Sequence, residues 1–163
     1  MLKLYHFVAT YLSMCLLMTF SGNTFADPTT TSEINCLALN IYHEARSEPV
    51  EGMFAVAFVT RNRVLDKRYP NTYCGVVWEK RWSKKKNRYV PQFTWTLDGK
   101  PDKPKESNAW KLSQMIAKAV YLYNLKSNVS GSLNYHATYV SPVWAKRMDV
   151  LALYGNHVFY KSH

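Results

Sequence analysis

Apolar residues between Ile34 and Ala45 recur at three- and four-residue steps: Ile34, Leu37, Ala38, Ile41, Tyr42 and Ala45. That spacing predicts an amphipathic helix with its apolar stripe turned inward, and Ser32 is placed to cap it. At 100° per residue, Glu44 falls beside Leu37 and Ile41 on the margin of the stripe. Pro49 interrupts, and the apolar segment GMFAVAFVTRNRVL predicts a second helix to about Asp66, with Pro49 in its first turn. Between Tyr69 and Lys105, four prolines (Pro70, Pro91, Pro101, Pro104), two glycines and many aromatics predict loops and short elements. Helical spacing returns over 107–126, capped by Ser107, with Ala109, Leu112, Ile116, Ala119 and Tyr123 on one side. After a turn at Ser130-Gly131-Ser132, LNYHATYV (133–140) alternates as a strand, and HVFYK (157–161) is a pairing partner for it. The expected fold is α+β, mainly helical, with a small antiparallel strand pair.

Residues 1–26 stand apart from this pattern. Lys3 precedes an apolar run from about Phe7 to Phe20, and Thr24-Phe25-Ala26 ends it in a small-x-small pattern. That reads as a secretory signal peptide cleaved after Ala26, with a retained membrane anchor as the alternative. Asp27–Glu33 then reads as a polar linker and 34–163 as one domain. Export to the periplasm, cell wall or exterior changes the meaning of the cysteines. The mature chain keeps Cys36 and Cys74, which are either a disulfide or two buried thiols.

Charge narrows the partners. The chain carries 21 Lys+Arg against 11 Asp+Glu, a net +10, and loss of the leader with its single Lys3 leaves +9. A basic exported protein associates with polyanions, such as anionic cell-wall polymers. The excess concentrates in RNRVLDKR (61–68) and EKRWSKKKNR (79–88). The second run reads as a solvated loop, although the interleaved Trp82 and Tyr89 leave a binding role open.

The candidate chemistry centres on His43-Glu44. A zinc-protease helix needs a second His one turn after the first, but position 47 is Ser. His136, His157 and His163 show no metal-ligand spacing, and there is no nucleophile-elbow, phosphate-loop or deaminase motif. The reading is therefore no metal and no cofactor. A Glu on the rim of an apolar stripe has another use, because desolvation raises a carboxyl pKa and keeps it able to donate a proton. Glycosidic cleavage needs such an acid, and sugar rings stack on aromatics such as Trp78, Trp82, Phe93, Trp95 and Trp144. The plain alternative is a surface ion pair between Glu44 and a neighbouring base.

Six stretches in order carry a family resemblance: YHEARSEPVEG (42–52), AVAFVTRNRV (55–64), YPNTYCGVV (69–77), QFTW (92–95), YHATYVSPVW (135–144) and GNHVFY (155–160). They resemble the bacterial cell-wall hydrolase family of the SleB and CwlJ, or spore-cortex-lytic, type. The resemblance implies a lysozyme-like catalytic domain that degrades peptidoglycan. It sets Glu44 at the position of the family's catalytic acid and Glu51 at its second acidic position. Members that cut glycan do so as lytic transglycosylases between N-acetylmuramic acid and N-acetylglucosamine, where one acid/base suffices. The candidate substrate contacts are Gln92, Phe93, Trp95, His136, Trp144 and His157, each with an ordinary structural role as its alternative. Of Phe93 and Trp95, alternating as in a strand, one is expected in the core and the other in the cleft. Asn62 and Arg63 are assigned to structure, while Glu48, one turn from Glu44, and Glu51, after Pro49, are each open as a second carboxyl close to it. The expected partner is peptidoglycan, acted on by a monomer, with no nucleic acid. Two rivals remain: an amidase acting on the peptide stem, and a non-enzymatic basic module that binds wall polymers or nucleic acid.

Overall fold

The computed structural model describes residues 27–162. The leader therefore lies outside the described residues, as does Cys15. The first helix, α1 (Pro28–Ala45), begins before its apolar stripe does. Asp27 caps it by accepting from the Thr30 backbone at 3.2 Å, and Pro28 occupies the first turn. Aspartate as cap and proline at the start are the strongest local helix signals. The expected linker over 27–33, with Ser32 as the cap, is thereby corrected. The added turns are held from outside, because Glu33 accepts from the Tyr73 backbone and Cys36 is disulfide-bonded to Cys74.

Helix α2 (Val50–Leu65) is buried around much of its circumference, from Gly52 and Met53 to Thr60 and Arg63. It is the central helix, packed by α1, by the short α3 (Tyr73–Val77) and by α4 (Ser107–Leu122). The core is formed by Leu37, Ile41, Val56 and Val59, with Phe159 closing it from the sheet. A buried polar chain crosses it. Trp95 Nε1 donates to Asn40 Oδ1 at 3.2 Å, Asn40 Nδ2 donates to Thr60 Oγ1 at 3.1 Å, and Thr60 donates to the Val56 carbonyl at 3.1 Å. Each of these groups is satisfied, so the chain fixes register between α1 and α2.

Helix α4 starts at Ser107 but is capped differently from the expectation. Glu106 is the cap residue, and the Tyr42 hydroxyl accepts from the backbone N–H groups of Lys105 and Glu106 at 3.0 and 3.1 Å. Its buried face comprises Ser113, Ile116, Ala117 and Val120, so the stripe is rotated and Tyr123 lies exposed beyond the helix end.

The expected strand pair forms. β3 (Ser132–Ala137) runs antiparallel to β5 (His157–Lys161), with Tyr135 opposite Phe159. A third strand, β4 (Val150–Tyr154), pairs with the other edge of β5, giving the order β3-β5-β4. The basic run 79–88 is likewise more ordered than a loop: β1 (Lys80–Ser83) and β2 (Arg88–Pro91) form a hairpin. QFTW is not a strand, because Thr94–Leu97 is a 3-10 turn.

The disulfide joins α1 to α3 across 38 residues, with the Cα atoms 5.1 Å apart. Closing a loop of that length stabilises by roughly 2–4 kcal/mol. Thiol titration of the denatured, unreduced mature chain should count no free thiol, and reduction should lower the unfolding midpoint. Two titratable thiols would contradict the pairing.

Candidate active site

Glu44 lies in the last turn of α1, half-buried, one helical turn after Asn40. The Tyr135 hydroxyl, from β3, donates to Glu44 Oε2 at 2.9 Å. Tyr135 is itself packed edge-on to His157 and tilted against Phe159, with ring centroids at 5.2 and 5.3 Å. Arg63, from α2, supplies a positive charge nearby. Its Nε and Nη2 donate to the Leu133 carbonyl at 3.0 and 2.8 Å, and its guanidinium lies 5.1 Å from the Phe93 ring and 5.4 Å from that of Tyr69.

The three influences on Glu44 do not agree in sign. Burial pushes its carboxyl above the ordinary glutamate value, while the Tyr135 hydrogen bond and the Arg63 charge pull it down. Burial prevails, so the acid form is favoured. Tyr135 is driven well above the usual phenol value, by burial first and then by the Glu44 charge. It therefore stays protonated and remains the donor in this pair.

Beside Glu44, His43 faces another way. Its Nε2 meets the Asp102 carbonyl at 2.9 Å and its ring stacks on Trp95 at 4.3 Å, with Trp78 edge-on to Trp95 at 5.2 Å. His43 and Trp95 border a cleft of about 370 Å³ that is also lined by Tyr42, Asp98, Asp102 and Lys105, and Glu44 is not among its lining residues. That size lies within the range of small-molecule and sugar sites. Trp95 is thus both a buried residue of the second, smaller core and a wall of this cleft, whereas Phe93 is core only. Among the described residues, no group of three or more His, Cys, Asp or Glu side chains is arranged to hold a metal.

The other acidic candidates separate. Glu51 is exposed in the first turn of α2. Glu48 is not solvent-facing. Its Oε2 accepts from the Asn156 backbone at 2.7 Å, and its Oε1 accepts from Asn156 Nδ2 at 3.4 Å and approaches His157 Nδ1 at 3.8 Å. Its carboxyl is committed to the turn between β4 and β5. Gly155 makes room for it: its φ is +55°, and a Cβ there would overlap the Glu48 carboxylate.

The histidines also part company. His157 is buried behind Tyr135, and burial lowers its pKa despite the opposing pull of Glu48. His136 lies on the other side of the sheet, because neighbouring strand residues point to opposite faces and Tyr135 points to Glu44. There His136 Nε2 meets the Tyr160 hydroxyl at 2.7 Å, and Trp144 packs edge-on to both rings. Gln92 is half-buried, and its backbone N–H donates to the Glu79 carbonyl at 3.0 Å. Asn62 is structural as expected, donating to the Val129 and Ser132 carbonyls. Sequence reasoning missed Tyr135 altogether. It missed Arg63 as an electrostatic neighbour of Glu44, because Arg61 and Arg63 stand alike in the apolar segment and only the fold buries Arg63.

The mainly helical domain with its small antiparallel sheet is of the lysozyme-like class. The chain is a member of the cell wall hydrolase family, whose model matches residues 47–160. It is 30% identical to the spore cortex-lytic enzyme of Oceanobacillus iheyensis over 140 residues, covering 80% of this chain and 42% of that protein. To the spore cortex-lytic enzyme of Bacillus subtilis it is 44% identical over 48 residues, covering 29% of this chain and 16% of that one. It thus spans less than half the length of these relatives. Among solved structures, the catalytic domain of the Bacillus cereus SleB protein superposes with a TM-score of 0.60 at 27% identity, covering 80% of this chain and 91% of that one. The catalytic domain of the germination-specific lytic transglycosylase SleB from Bacillus anthracis gives 0.60 at 26%, covering 85% and 98%.

The raised carboxyl makes a prediction about stability. A raised acid binds more protons folded than unfolded, so its contribution is fully present below the unfolded pKa and is lost as pH rises through the folded one. Glu44→Gln should therefore gain stability relative to the parent as pH climbs above about 4.3, the unperturbed glutamate value. Denaturant unfolding of both proteins at about pH 4 and about pH 7.5 measures this, and a difference that does not change with pH would contradict it.

Proposed function

We propose that this chain is an exported enzyme that cleaves the peptidoglycan glycan strand between N-acetylmuramic acid and N-acetylglucosamine, as a lytic transglycosylase. The observation that carries the reading is the Glu44 carboxyl, raised by burial above the ordinary glutamate value while the Tyr135 hydroxyl bonded to it and the more distant Arg63 charge both favour its ionised form. Those opposed influences suit one residue that must act twice. As acid, Glu44 gives its proton to the glycosidic oxygen while the bond to the muramic C1 breaks, leaving an oxocarbenium-like centre. The Tyr135 hydrogen bond and the Arg63 charge then stabilise the carboxylate just formed. As base, that carboxylate takes the proton of the muramic C6 hydroxyl as its oxygen bonds to C1. The product is the 1,6-anhydro sugar, and Glu44 ends protonated as it began. No second carboxylate is consumed, which agrees with Glu48 being held by Asn156 and with the exposure of Glu51.

Family membership and the lytic transglycosylase among its structural relatives support the same reaction. The family match begins just beyond Glu44, so the role of Glu44 rests on its position in the motif and on its surroundings. Trp95 beside His43 is the sugar contact we favour, and Glu51 contacts substrate at most, without transferring a proton.

Glu44→Gln keeps size and hydrogen bonding but has no proton to give. Its release of muropeptides from purified sacculi should fall at least ~10²-fold, the scale of general acid catalysis, while Glu51→Gln costs far less. Mass spectrometry of wild-type products should find anhydro-muramic ends, and hydrated reducing ends would convert the mechanism to hydrolysis. Loss of activity in EDTA with recovery in zinc would instead favour the amidase.

Tyr135→Phe tests the positioning of the acid. Without the hydrogen bond that favours the carboxylate, the pKa of Glu44 should rise further, so the alkaline limb of the pH–rate profile should move to higher pH. A lower rate with an unmoved limb would make Tyr135 merely structural.

A further inference from the structure

The β1–β2 hairpin carries the densest positive charge and takes no part in the chemistry above. Its register sets Trp82 opposite Tyr89 and Lys80 opposite Pro91, with Arg81 opposite Val90 in the alternate row. Opposed residues share a face and successive residues alternate, so Lys80, Trp82 and Tyr89 lie on one side and Arg81 on the other. The Arg81 side is turned to the body of the protein. Arg81 Nε donates to Glu79 Oε1 at 2.7 Å, Nη2 donates to the Arg68 carbonyl at 2.7 Å, and the guanidinium lies 5.0 Å from the Tyr69 ring.

The other side faces solvent. Trp82 and Tyr89 are 53% and 55% exposed and pack edge-to-face at 5.2 Å, with the Lys80 ammonium 5.8 Å from the Tyr89 ring. The tip adds Lys84, Lys85 and Lys86, all exposed, and positions 80–88 contain no acidic residue. Two large aromatics left half in water beside an uncompensated positive charge form a surface suited to a ligand that is both ring-bearing and anionic. The root of the hairpin says which. Trp78, 41% exposed, lies two residues before β1 and packs edge-on to Trp95 at the cleft, and the Gln92 backbone closes the base on the Glu79 carbonyl. The aromatic strip therefore runs from Trp95 through Trp78 towards the hairpin.

We propose that the outer face of this hairpin is an accessory peptidoglycan-binding site, separate from the cleavage site. Sugar rings of the strand stack on Trp82 and Tyr89, and stem-peptide carboxylates pair with Lys80 and the three tip lysines. The inference rests on the glycan substrate proposed above, since that polymer is both pyranose and carboxylate-rich. A strand engaged in the cleft and on the hairpin is held at two points, which slows its departure.

The test measures binding in a Glu44→Gln background, so that the ligand survives. Sacculi stripped of phosphodiester polymers are cosedimented with this protein, with the same protein carrying Trp82→Ala and Tyr89→Ala, and with the same protein carrying Lys84→Gln, Lys85→Gln and Lys86→Gln. Each set should weaken binding at least about fivefold, as expected for the loss of two or three surface contacts, with an unchanged thermal unfolding midpoint. Added salt should weaken the aromatic variant's remaining binding more than the lysine variant's. Parent-like binding by both sets would overturn the site. So would parent binding that disappears with the phosphodiester polymers, or hairpin-dependent binding found only on phosphatidylglycerol vesicles or duplex DNA. Muropeptide release by the wild type keeps the two claims apart. Release with hairpin-independent binding contradicts the accessory site alone, and hairpin-dependent binding without release contradicts the cleavage reaction alone.

Discussion

The Tyr135 hydroxyl and the Glu44 carboxyl meet at 2.9 Å where the end of α1 reaches the edge strand β3. Burying a carboxyl there is costly unless it is neutral or well paired, and the surrounding fold answers on both counts. Leu37, Ile41 and Ala45 on α1 pack into the core and carry Glu44 to its edge. Arg63 reaches across from α2 but is tied to the Leu133 carbonyl, so its charge acts on Glu44 without forming a direct ion pair. Three elements thus converge on one ionisable group, and a small shift of any of them would alter its proton affinity.

A second carboxylate shows how environment divides the labour. Glu48, four residues after Glu44, accepts from the Asn156 backbone and side chain and borders His157. That contact clamps the β4–β5 turn against the end of α1, and the left-handed Gly155 gives it space. Behind Tyr135, His157 serves as packing, and burial lowers its pKa below the ordinary imidazole value. One Glu is left with a raised carboxyl while its near neighbour is fixed as structure, a separation that surroundings alone can impose.

Much of this was legible in the sequence because it rested on periodicity. The stripe from Ile34 to Ala45 set Glu44 at the margin of the core, and that is where it lies. Strand alternation in LNYHATYV gave β3 and its partner β5. What was lost depended on contacts distant in the chain. The extra turns of α1 are braced by Tyr73 and by the disulfide to Cys74, and no local pattern announces that. Alternation revealed that Tyr135 and His136 face opposite ways, but not which of them meets Glu44. What Glu48 would meet was not legible, because its partner, Asn156, is 108 positions away. The strand β4 was missed because VLALY lacks polar alternation, and the β1–β2 hairpin because its lysines mask a Trp–Tyr cross-strand pair.

The account of catalysis depends on one quantity, the proton affinity of Glu44 in the folded protein. Carbon-13 NMR titration of the glutamate side-chain carboxyls, with the Glu44 resonance assigned by its absence in Glu44→Gln, measures it directly. The account predicts a midpoint clearly above the unperturbed glutamate value of about 4.3. A midpoint at or below that value would mean that the Tyr135 hydrogen bond and the Arg63 charge outweigh burial, and Glu44 would then be too readily ionised to serve as the acid.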